Sequence, residues 1–105
     1  MRGDVTIGLL GLGTVGTGVV RLLEKHAADL RKRLGHGVRI GRIAVRDPRR
    51  ARDLPIDRKL LTTDARALVT DPSIDIVVEL IGGVEPARAL VLAAIEAGKD
   101  VVTAN

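Results

Sequence analysis

The run Val5-Thr6-Ile7-Gly8-Leu9-Leu10-Gly11-Leu12-Gly13-Thr14-Val15-Gly16 carries an apolar strand pattern straight into a G-x-G-x-x-G turn. A helical pattern opens immediately behind it. In that context the turn is the geometry that holds the pyrophosphate of a dinucleotide. The three glycines have separate tasks: Gly11 permits the tight turn, Gly13 lets backbone N–H groups approach the phosphates, and Gly16 lets helix and strand pack closely. An anion seated there meets the unpaired N–H groups and positive dipole end of the new helix.

Outward from this turn, the apolar spacing predicts a helix over residues 14–33, with Val15, Val19, Leu22, Leu23, Ala27, Leu30 and Leu34 three and four apart. A second strand is expected over 38–46 and is broken by Asp47-Pro48. A basic connector then leads to a brief strand at 60–62. Asp64 reads as the N-cap of a small helix over 65–70. The aliphatic run 74–81 reads as a buried strand ended by Gly82-Gly83. Pro86 is placed in the first turn of the next helix, whose apolar face is Ala87, Leu90, Val91, Ala94 and Ile95, with Gly98 as its stop. A last strand covers 100–103. This alternation predicts an α/β fold: a Rossmann-type, doubly wound parallel sheet of about five strands in the order 3-2-1-4-5.

Composition agrees with that architecture. The chain has 105 residues, enough for one domain, and is 46% hydrophobic without a single Phe, Trp or Tyr. Its core must therefore be aliphatic, which suits parallel strands buried on both faces. The missing aromatics exclude stacking platforms for single-stranded nucleic acid. Cysteine is absent, so disulfides and thiolate metal sites are excluded. No apolar stretch approaches the roughly 18 residues of a membrane span. No signal-peptide pattern precedes the first strand, and the expected location is the cytoplasm. Seventeen basic against 13 acidic residues give a net charge of +4, most of it on solvated helix faces. The local exception is the cluster Arg46, Arg49, Arg50, Arg52, Arg58 and Lys59.

Ligands of such sheets bind beyond the carboxyl ends of the strands, where the strand order reverses. Three loops meet there: residues 11–16, 81–85 and 103–105. Gly82-Gly83 reads either as an ordinary turn or as the floor of the nicotinamide ribose and phosphate pocket. Thr103 and Asn105 either cap a following helix or hydrogen-bond the nicotinamide side. The end of the second strand selects the coenzyme. An acidic residue there accepts from the adenosine ribose of NAD, whereas arginine suits the 2′-phosphate of NADP. Here Arg46 precedes Asp47, so NADP is favoured and Asp47 keeps NAD open. Arg49, Arg50 and Lys59 add donors or a steering field. Glu79, inside an aliphatic strand, is costly to bury unpaired and reads as a structural carboxylate rather than a catalytic one. His26 and His36 have no metal-ligand partners at suitable spacing, and no general acid or base stands out.

Three segments together resemble the homoserine dehydrogenase family. They are residues 7–20 around the glycine turn; the block Asp75-Ile76-Val77-Val78-Glu79-Leu80-Ile81-Gly82-Gly83 with Glu85-Pro86-Ala87-Arg88; and Ala97-Gly98-Lys99-Asp100-Val101-Val102-Thr103-Ala104-Asn105. The resemblance covers the whole chain and the N-terminal quarter or so of such an enzyme. It implies hydride transfer between NAD(P)H and the pair aspartate 4-semialdehyde/L-homoserine, in the aspartate pathway that feeds threonine and methionine. By position, it implies that Leu12, Thr14 and Val15 touch the pyrophosphate and nearby ribose, and Arg46 the adenosine end. Gly82, Gly83, Thr103 and Asn105 are implied on the nicotinamide side.

The family's lysine that follows the segment matching 103–105 lies outside the 105 residues, and so do its substrate-binding residues. The expectation is therefore a coenzyme-binding domain over 1–105, inactive alone. In the complete enzyme the substrate domain, absent here, supports a homodimer. The rival reading is a non-catalytic nucleotide-sensing module of the same fold. Nucleic acid and membrane partners are not expected.

Overall fold

The computed structural model describes residues 4–49, 56–81 and 85–103. Strand β1 (Val5–Leu10) is buried along its whole length, as a continuous apolar run in the middle of a parallel sheet should be. β2 (Val38–Ala44) and β3 (Leu61–Thr62) lie to one side of it, β4 (Ile76–Glu79) and β5 (Asp100–Thr103) to the other. Every pairing is parallel, and the order β3-β2-β1-β4-β5 is the one expected from the sequence.

The helices α1 (Thr14–Lys25), α2 (Ala27–Leu34), α3 (Ala65–Thr70) and α4 (Ala87–Glu96) complete the layers. On one face, Leu10, Leu68, Val69, Ile74, Val77, Leu90, Ala93 and Ala94 form a core between the sheet, α3 and α4. On the other, Ile7, Leu9, Ile43 and Val20 of α1 form a second core. Each fully buried Leu, Ile or Val there contributes about 1.5–3 kcal/mol, so an aliphatic interior suffices without aromatic rings.

The β1–β2 register slips between Ile7 and Gly8: Ile7 pairs with Ile40 and Gly8 with Arg42. Gly41 is therefore skipped, a β-bulge in the second strand. Because of this slip, Val38, Ile40, Ile43 and Val45 all pack on the α1 side, although strict alternation would separate the first pair from the second.

The edge where the strands begin is closed by side chains. Asp75 Oδ2 accepts from the Thr6 backbone N–H at 2.8 Å, while Thr6 O accepts from Asp75 N at 2.8 Å. Asp4 accepts from Gly37 N at 3.0 Å and from the Arg31 guanidinium at 3.1 Å. Asp64 caps α3 as expected, accepting from Ala67 N at 2.9 Å. Beyond α3, Asp71 Oδ1 accepts from the Ser73 hydroxyl at 2.7 Å and from Ser73 N at 2.8 Å. These two bonds, the hydroxyl first, hold the Asp71 carboxyl below its usual value of 3.8.

Four expectations need correction. The single helix over 14–33 is two, bent at His26 (φ −107°, ψ 13°). Hydrogen bonds His26 N→Leu22 O (3.1 Å) and Leu30 N→His26 O (2.8 Å) continue across the bend, so the apolar spacing survives it and cannot reveal it. β2 ends at Ala44 rather than at residue 46. β4 covers Ile76–Glu79 rather than 74–81, because Ile74 is buried from a turn beneath the sheet, its N–H bonded to Asp71 O. Finally, α4 buries Ala87, Leu90, Ala93 and Ala94, and Ile95 faces outward.

Candidate functional site

The site is built at the edge where the strands end. After Leu10 the chain turns through Gly11, whose φ of +104° is reached readily only without a side chain. Gly11 N donates to Ala44 O at 2.9 Å, anchoring the turn to β2. Gly16 packs against that turn so closely that a Cβ there would lie 2.7 Å from Gly11 O. A Cβ on Gly13, by contrast, would meet nothing within 4 Å. Gly13 therefore has no packing reason to be glycine and leaves the space in front of α1 clear.

Gly13 is the N-cap of α1 and supplies no side-chain cap, and no acidic residue occupies the helix's first turn. The early N–H groups of a helix have no partner within it. Their partial positive charge is thus uncompensated and faces open space. This arrangement fits a phosphate group without further adjustment.

A crevice of about 540 Å³ opens beside the turn, within the range of small-molecule sites. Gly11, Leu12 and Gly13 form one wall, Ala44, Val45, Arg46 and Asp47 a second, and Thr63, Ala65, Ile81, Pro86 and Leu90 the rest. Its interior is mostly aliphatic, suited to a flat apolar ring, with charge only at the rim. Arg46 makes no hydrogen bond or ion pair among the described residues. Asp47 is engaged instead: its Oδ1 accepts from Arg49 N at 2.9 Å and from Arg49 Nε at 3.4 Å.

The nicotinamide-side residues named from sequence are only partly described. Gly82, Gly83 and Asn105 lie outside the described residues, as do Arg50 and Arg52. Thr103 ends β5 and pairs in register with Glu79, which in turn pairs with Leu10. Its hydroxyl donates to Glu79 Oε1 at 2.6 Å. Glu79 is 2% exposed, and its Oε2 has no hydrogen-bond partner among the described residues. Sequence reading expected a carboxylate bonded to backbone or to another domain; the partner found here is a side chain.

Of the remaining expected site residues, Thr14, Val15 and Gly16 form the first turn of α1, directly after the crevice-lining Gly13, and do not themselves line the crevice. Lys59 does not line the crevice. It belongs to a 3₁₀ turn (Arg58–Leu60) on the entry side of β3, because the chain must rise through that turn before the strand begins. Thr63, Ala65, Pro86 and Leu90 escaped the sequence reading. Thr63 and Ala65 follow β3, and the general rule about carboxyl ends points to them once so short a strand is placed. Leu90 and Ala65 look like core positions, and they are; their outer surfaces floor the crevice as well.

Fold, switch point and open helix terminus define the chain as a doubly wound, dinucleotide-binding α/β domain. A family model described as "Homoserine dehydrogenase, NAD binding domain" matches residues 11–105, and the chain belongs to that family. Homoserine dehydrogenase of Methylobacillus glycogenes is 50% identical over 101 residues, covering 96% of this chain and 24% of that protein. The Bacillus subtilis protein of the same name is 40% identical over 96% of this chain and 23% of its own length. Among solved structures, Staphylococcus aureus homoserine dehydrogenase at pH 8.5 superimposes with a TM-score of 0.93 and 39% identity, over 100% of this chain and 26% of that one. The Thiobacillus denitrificans enzyme gives 0.86 and 49%, over 100% and 25%. The chain thus spans about a quarter of the length of the relatives it matches.

Proposed function

We propose that this chain is the coenzyme-binding part of a homoserine dehydrogenase and that it prefers NADP(H) over NAD(H). On this reading the pyrophosphate lies on the first turn of α1 in front of Leu12, Gly13, Thr14 and Val15. The adenine enters the aliphatic crevice between Val45, Ala65 and Leu90, and the nicotinamide half extends over the ends of β4 and β5. When bound, the coenzyme supplies the hydride exchanged between aspartate 4-semialdehyde and L-homoserine. The chain's own residues bind and orient it; substrate recognition and any dimer contacts fall to the three quarters of the relatives' length not matched here.

The observation that carries the preference is the contrast between Arg46 and Asp47. Arg46 stands at the crevice rim without a partner among the described residues, ready to give bidentate hydrogen bonds to a phosphate bearing about −1.5 to −2 charges. Asp47, the alternative acceptor for ribose hydroxyls, is tied to Arg49. Isothermal calorimetry on the 105-residue chain tests both parts. NADPH is expected to bind more tightly than NADH, and Arg46→Glu to weaken NADPH about tenfold or more while changing NADH little. Absence of binding by either dinucleotide at millimolar concentration would refute the coenzyme reading; equal losses would remove Arg46 from the 2′-phosphate.

A further inference from the structure

Glu79 is the feature that coenzyme binding leaves unexplained. It is a buried acidic side chain at the end of a strand whose neighbours are aliphatic, on the same sheet face as Val77 and the α3–α4 core. One oxygen accepts from Thr103 at 2.6 Å, and the other has no partner among the described residues. As a device for joining β4 to β5 this is poor: a buried carboxylate with one unsatisfied oxygen is usually less stabilising than an apolar residue of similar volume. Native structures satisfy such groups, and an exception calls for a reason beyond stability.

The reason lies in what the bond does to Thr103. A threonine hydroxyl has one proton to donate and two acceptor positions. With the proton directed at Glu79, whatever else meets that oxygen must be a donor. We propose that Glu79 is a positioning residue: by taking the Thr103 hydroxyl proton as its hydrogen bond, it turns Thr103 into a pure acceptor for a donor on the nicotinamide riboside. That donor is an N–H of the carboxamide or an O–H of the ribose. The inference rests on the coenzyme reading above, and it assigns to Glu79 an action exerted through Thr103, not contact with the ligand.

The test uses two ligands on the 105-residue chain: NADPH, and 2′-phospho-ADP, which has the adenosine half and both bridging phosphates but no nicotinamide riboside. Glu79→Leu is expected to weaken NADPH about tenfold, the loss of one good hydrogen bond, and to leave 2′-phospho-ADP unchanged. Thr103→Val should do the same, and the double variant should lose no more than either single one. Glu79→Gln and Thr103→Ser, which keep the acceptor and the hydroxyl, should recover most of the affinity. The 3-acetylpyridine analogue of NADPH has a methyl in place of the carboxamide NH₂. If the amide is the donor, Thr103→Val leaves the analogue's affinity unchanged; if the ribose hydroxyl is, the analogue loses affinity as NADPH does. Either result supports the proposal. Equal losses for both full ligands and the nicotinamide-free probe, additive losses in the double variant, or an unaltered NADPH affinity would overturn it. Should Glu79→Leu fail to fold, Glu79→Ala, alone and combined with Thr103→Val, takes its place. If the unmodified chain binds neither ligand, the coenzyme reading itself fails; if it binds both but Glu79→Leu binds NADPH as tightly as the unmodified chain, only the role of Glu79 does.

Discussion

The two edges of the sheet treat their polar groups in opposite ways. Where the strands begin, Asp75 and Asp4 turn their carboxylates onto the chain's own N–H groups at Thr6 and Gly37. Where the strands end, no side chain caps α1 and Arg46 has no partner among the described residues. The same contrast holds between two helices: Asp64 caps α3, while no side chain among the described residues caps α1. Hydrogen bonds satisfied internally stabilise; those left open are available to a ligand. The first edge therefore belongs to stability and the second to recognition.

Converting the open edge into a closed one should produce the largest effect. Gly13 has an extended backbone conformation (φ −87°, ψ −152°) that any residue adopts, and room for a side chain. Gly13→Asp is expected to cap α1, raising stability by up to about 1 kcal/mol. It should also place a carboxylate where the pyrophosphate belongs and lower NADPH affinity at least about a hundredfold. Urea unfolding and calorimetry on the same sample read the two effects; if affinity survives, α1 is not the phosphate seat.

Opening the closed edge is expected to have the reverse outcome. Asp75→Ala leaves the buried N–H of Thr6 without its acceptor and should cost about 1–3 kcal/mol of stability. Dinucleotide affinity should stay within twofold, and a larger change would show that the edges are coupled.

The smallest effect concerns acid. The depressed Asp71 carboxyl contributes stability above its usual value of 3.8 that is lost as pH falls through the still lower value of the folded state. Ser73→Ala removes the largest cause of that depression. The variant should be slightly less stable than the parent near neutral pH, and the gap should close as the solution is acidified below the usual carboxylate range. A gap that widens on acidification would contradict this assignment.

Legibility in the sequence followed the same division. The sheet order, the glycine turn and the Asp64 cap were readable because each rests on local chemistry at fixed spacing. The bend at His26 was not, since the apolar spacing and the helical hydrogen bonds both run through it. Ile74 read as strand because burial, not extension, sets where an aliphatic residue can stand. At the site, Arg46 was legible as a cation after a strand. The engagement of Asp47 by Arg49 was not, because a two-residue turn leaves no periodic trace. Glu79 announced itself as an oddity, yet its partner Thr103 lies 24 positions away on another strand, and only the register brings them together.

The bulge at Gly41 has a consequence for how this domain tolerates change in length. It resets the in-and-out phase of β2 partway along, so the half before it and the half after it are framed independently. Removing that one glycine would let Ile40 and Arg42 become neighbours and keep Ala44, Val45 and Arg46 where they stand. The loss of that one residue is absorbed locally, and the charge delivered to the ligand rim is insulated from it.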